Sequence, residues 1–63
     1  MTRKKLTLHE ASSRSSAELI DVYGSDVLDQ LADLVAAAVW KGDDAEVALV
    51  DRRLREVEAI LGL

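Results

Sequence analysis

Two residues, Gly42 and Asp43, are all that separates two stretches of helical periodicity, and this short link constrains the fold more than any other feature. Upstream of it, Val27, Leu28, Leu31, Leu34, Val35, Ala38 and Val39 recur at helical spacing and make one broad apolar stripe. Downstream, Val47, Val50, Leu54, Val57 and Leu61 follow at alternating spacings of three and four, the pattern of an a/d seam. So short a link obliges two such helices to fold back on each other as an antiparallel hairpin. Stripe and seam together name an expected core of Leu31, Leu34, Val35, Val50, Leu54 and Val57.

The punctuation sets three helices. Ser15 with Glu18 three positions on is a capping-box signature, and Leu19, Ile20 and Tyr23 share one side of a helix spanning about 15–23. Gly24 can end it, since positive φ brings no Cβ clash there. Ser25 is the expected N-cap of a second helix over about 26–41, with Asp26 in its first turn and Lys41 in its last, each favoured by the helix dipole. Asp43 with Glu46 is a second capping box and opens a third helix over about 44–61. On that helix Asp51–Arg55 and Arg52–Glu56 are spaced as i,i+4 ion pairs. The expected class is all-α: a short N-terminal helix plus the hairpin, behind a basic arm over 1–14. Whether that arm is ordered stays open, and so does whether the first helix extends upstream over Glu10 to Ser16, because Ser12, Ser13, Ser15 and Ser16 compete for backbone hydrogen bonds.

Composition then argues for association. A single domain of 63 residues has a marginal core, burying only about 60% of its unfolded surface, and such chains usually need staples. With no Cys there is no disulfide, and a lone His9 builds no zinc site, so neither metal nor cofactor is expected. Leu49 and Ile60 lie beyond one edge of the a/d seam, and with Leu61 they form the expected dimer interface. A homodimeric helical bundle is the expectation, the alternative being a three-helix monomer in which the first helix closes the core alone. No apolar run approaches the roughly 20 residues of a membrane span, and Leu6-Thr7-Leu8 is too short for a signal peptide, so a cytoplasmic protein is expected.

Charge is unevenly distributed. Residues 1–15 carry four cations (Arg3, Lys4, Lys5, Arg14) against Glu10, whereas 16–51 carry nine carboxylates against Lys41. Asp26, Asp29 and Asp33 share one face of the second helix with Trp40, and Asp43 and Asp44 continue the charge past its end. Asp is a poorer helix former than Glu, and Asp29 and Asp33 are like charges at i,i+4, so this face is built against helix stability. A large aromatic beside fixed charge has the composition of a binding hot spot. These six residues are the candidate site for a larger protein partner. Carboxylates rising along a helix can also imitate nucleic-acid phosphates, so the sharpest expectation is a phage-type inhibitor of a nucleic-acid-handling complex, an anti-CRISPR-like DNA mimic. Catalysis has no comparable basis: there is no Gly-x-Ser-x-Gly turn, phosphate-cradling loop, helical His pair or calcium loop, and the chain is read as non-enzymatic.

Two resemblances add to this reading. Arg3-Lys4-Lys5-Leu6-Thr7-Leu8-His9 ends in the polar/apolar alternation of a short strand, and Gly24-Ser25 and Lys41-Gly42 punctuate the chain further on. In these features it resembles ribbon-helix-helix DNA-binding proteins, whose dimers lay paired strands in the major groove. That resemblance implies base contacts by Lys5, Thr7 and His9, with Arg3 beside them, and confines nucleic-acid binding to the N-terminal arm. The chain departs from the pattern in its Ser-rich first helix, its acidic body, and Asp26 where the family grips a phosphate. Tyr23-Gly24-Ser25-Asp26 and Gly42-Asp43, followed by Val47, Arg53 and Ile60-Leu61, also look like small helical-hairpin proteins of α-proteobacteria and their phages. This second resemblance implies the hairpin and no particular activity.

Overall fold

A computed structural model describes residues 5–62, and all regular structure in that range is helical. Helix α1 spans Leu8–Ser13, α2 Ser16–Tyr23, α3 Val27–Lys41 and α4 Asp44–Leu61, with a single 3-10 turn over Gly24–Asp26 between α2 and α3. The all-α class holds. The strand expected near the N-terminus does not form among the described residues, and Arg3 lies outside them. Thr7 instead caps α1, its hydroxyl accepting from the Glu10 amide at 3.2 Å, and Leu8 and His9 enter the helix. A Thr hydroxyl followed by Glu in the first turn favours helix initiation, and here it prevails over a two-residue alternation.

The Ser15–Glu18 capping box forms in both directions. Arg14 between α1 and α2 is extended, so the two helices are separate. At the next junction Asp26, not Ser25, occupies the N-cap of α3, and its side chain makes no capping bond. The 3-10 turn explains the shift, because it carries helical geometry through Ser25 and Asp26 once Gly24 has broken α2 with φ of 63°.

Gly42 ends α3 in the left-handed region, φ 75° and ψ 24°. The Gly42 amide bonds the Val39 carbonyl and the Asp43 amide bonds the Ala38 carbonyl, both at 3.1 Å, a Schellman motif. This motif accounts for a half-made capping box. Asp43 accepts from the Glu46 amide at 3.1 Å, but its own N–H is committed to Ala38. The Glu46 carboxylate turns instead to Lys41 Nζ, at 2.9 Å from Oε2.

The core is a single cluster. Leu6, Ala11, Leu19, Tyr23, Val27, Leu31, Val50 and Val57 are buried, with Ile20, Leu28, Leu34, Val35 and Leu54 packed around them. Of the expected core, Leu31, Val50 and Val57 are fully enclosed, whereas Leu34, Val35 and Leu54 are half-buried. Val39, expected in the α3 stripe, is 62% exposed, and Leu61 at the end of the a/d seam is also exposed. Counting 100° per residue, Val39 lies about 100° from the fully buried Ala38, at the exposed end of the stripe in the last turn of α3. Helices α3 and α4 make the most extensive contact, and α1 and α2 both pack on α4. Leu6 lies in the core as well, its amide bonded to Gln30 Oε1 of α3.

Candidate functional site

The face of α3 turned from the core holds three of the six candidate residues. At 100° per residue, Asp29, Trp40 and Asp33 fall within about 40° of one another, opposite Val27, Leu31 and Ala38. Those three core residues are fully buried, whereas Asp29 and Asp33 are exposed and Trp40 is 90% exposed. Val39 stands beside Trp40, giving the C-terminal half of α3 an uncovered apolar end. Asp26 sits half-buried at the start of the same helix. Asp43 and Asp44 are exposed beyond its end, where Asp43 also caps α4.

Lys5 and Asp33 line one hollow of about 310 Å³, together with Leu6, Gln30, Leu34 and Ala37. Lys5 therefore lies alongside Asp33 of the acidic ridge. Thr7 and His9, the other described residues of the DNA-reading alternative, are exposed in and beside α1.

A second opening of about 530 Å³ runs between α1 and α4, lined by Ser12, Ala48, Leu49, Arg52, Arg53 and Glu56. Leu49 and Ile60 are 42% and 56% exposed on this side of α4, whereas Leu61 lies on the a/d seam and is exposed at the last residue of the helix. No group of three or more His, Cys, Asp or Glu that could hold a metal ion occurs among the described residues, and no helix there is long and apolar enough to cross a membrane.

Two polar networks position α1 and α2, and sequence reasoning saw neither. In the first, Glu10 Oε2 accepts from Arg14 Nε at 2.8 Å and from the Tyr23 hydroxyl at 3.0 Å. Glu10 holds the Arg14 guanidinium more firmly charged, first through that hydrogen bond and then through its charge. Burial pushes the Tyr23 hydroxyl above its ordinary pKa, and the hydrogen bond to Glu10 and its charge push the same way. Tyr23 is the single tyrosine, so an absorbance titration reads it alone. Its midpoint is expected above the usual value of about 10. With the folded pKa raised, Tyr23 contributes stability that is present below pH ~10 and lost as pH climbs through the folded pKa. A midpoint at or below the free-phenol value in the folded chain would contradict this environment.

In the second network Arg53 of α4 reaches across to the first two helices. Its Nε donates to the Ala11 carbonyl at 3.0 Å, and its Nη1 to Ser16 Oγ at 3.1 Å and Glu56 Oε1 at 2.9 Å. Glu56 is thus the partner of Arg53 rather than of Arg52, because Arg53 is the arginine held between α4 and the α1–α2 junction. The other expected pair forms, Arg55 Nε to Asp51 Oδ2 at 3.0 Å. No family model matches this chain, and comparisons with curated proteins and with solved structures find none similar to it.

Proposed function

We propose that the protein is a non-enzymatic interaction module: a homodimer of helical hairpins that presents the outer face of α3 to a larger protein partner. The observation that carries this reading is Trp40, an indole 90% exposed on the face that also bears Asp29 and Asp33. Leaving the largest apolar side chain in water has no folding benefit, and buried aromatic anchors are what dominate protein interfaces. The flanking carboxylates give the contact its sign. They favour a basic partner surface and speed encounter with it at low salt.

The sharpest form of the reading is inhibition of a nucleic-acid-handling complex, with the Asp ridge standing where phosphates would bind. Asp29 and Asp33 are one helical turn apart, about 6 Å along the axis. An inhibitor of this kind would be displaced by duplex DNA in competition.

Trp40→Ala is expected to weaken partner binding at least about tenfold, the effect of losing a hot-spot aromatic. The Asp29→Asn, Asp33→Asn double variant is expected to lose inhibition while melting at the parent temperature or slightly above it. Removing the like-charge i,i+4 pair relieves a few tenths of a kcal/mol. Binding and inhibition assays with both variants, alongside melting curves, are the test. If both bind and inhibit as the parent does, the face is only a solvated surface and the proposal fails.

A further inference from the structure

We infer that the face of α4 turned away from α3 is a self-complementary seam, on which a second copy docks with its own α4 antiparallel about a two-fold axis. This rests on the homodimer reading above and adds the surface and register that would form it.

The face has two edges and a centre. At 100° per residue, Leu49 and Ile60 fall within about 20° of each other on one edge, and Ala48 and Ala59 fall equally close on the other. Arg52 and Glu56 lie between the edges. All six are exposed. A two-fold axis midway between the two copies of α4, perpendicular to both at the level of Leu54, sends each position to the opposite height on the same edge. Leu49 then meets the partner's Ile60, Ala48 meets the partner's Ala59, and Arg52 meets the partner's Glu56, with each pairing made twice.

Charge decides the direction. A parallel two-fold pairing would set Arg52 against the partner's Arg52 and Glu56 against the partner's Glu56, which is repulsive. The antiparallel register converts both contacts into ion pairs and leaves apolar groups matched on either side.

Three further observations fit this arrangement. Arg52 makes no ion pair among the described residues, because Glu56 pairs with Arg53. Glu56 uses Oε1 for both Arg53 and Ser16, and a carboxylate has a second oxygen to offer. The alanine edge permits close approach of two helix axes, and the groove of about 530 Å³ between α1 and Leu49 gives the partner's Ile60 a place to enter.

The test uses the whole chain, which has no native Cys. Light scattering of the parent is expected to give twice the chain mass, and Ile60→Asp a folded monomer with parent helicity. Arg52→Glu is expected to weaken association about tenfold or more. Register is read by mixing Leu49→Cys with Ile60→Cys protein and oxidising the mixture. The dominant product should join residue 49 of one copy to residue 60 of the other. In this register two copies of residue 49 stand about 15 Å apart along the axis, beyond the roughly 7 Å a disulfide spans.

A monomeric parent, or a dimer that survives Ile60→Asp, overturns the seam, as does cross-linking mainly between like positions. Trp40→Ala lies on another helix and is expected to remain dimeric, so loss of partner binding and loss of the seam can be told apart.

Discussion

Leu31→Ala is expected to lower stability by about 2–5 kcal/mol and to leave the chain largely unfolded at 37 °C, as read by loss of helical circular dichroism. Leu31 is fully buried in the first half of α3, in a cluster with residues of α2 and α4. Deleting most of its side chain removes apolar transfer energy and leaves a cavity that the cluster closes only in part. At about 0.05–0.15 kcal/mol per residue, a domain this small has roughly 3–9 kcal/mol in total, so one such loss is comparable to the whole. Leu54→Ala is expected to cost less, because Leu54 is half-buried at the rim of the same cluster. Unchanged melting of the Leu31 variant would show that α3 does not pack through this side.

Arg53→Ala is expected to cost about 2–3 kcal/mol and to expose the Arg14–Ser15 junction to proteolysis. One guanidinium supplies donors to α1 at the Ala11 carbonyl, to α2 at Ser16 Oγ, and to Glu56 on its own helix. Hydrogen bonds from a charged donor contribute about 1.5–3 kcal/mol each, and the three share one side chain and partial solvent, so their sum is not reached. Ser16 is buried and would lose a donor along with Ala11. Arg53→Lys should recover little, since an ammonium on a flexible stem cannot serve both helices through two nitrogens at once. A variant that melts with the parent and resists protease equally would mean that α1 and α2 are held by apolar contacts alone.

The legible parts of the fold were those written locally. Gly24 and Gly42 take positive φ as their positions required, and Ser15 and Glu18 close a reciprocal box within four residues. The start of α4 follows from Asp43, and the exposure of Trp40 follows from its angle on α3. What stayed hidden depends on groups far apart in sequence. Arg53 finds Ala11 across 42 positions, and no spacing rule connects them. Leu6 sits within a basic arm in the sequence, yet it is buried in the cluster. The Arg52–Glu56 pair does not form either, because Glu56 Oε1 is turned to Arg53 on its own helix and to Ser16, forty positions away. For the candidate site, the angles of a single helix sufficed to group Asp29, Asp33 and Trp40. They could not place Lys5 in the hollow beside Asp33.

The contrast between Trp40 and Tyr23 gives the chain a built-in optical division of labour. Its sole indole stands in water and its sole phenol lies inside. Indole emission therefore reports almost nothing when the helices melt, since the ring is hydrated before and after. A blue-shifted, brighter emission signals instead that something dry has covered the outer face of α3. Melting is followed through the phenol and the backbone, docking through the indole, and neither signal contaminates the other.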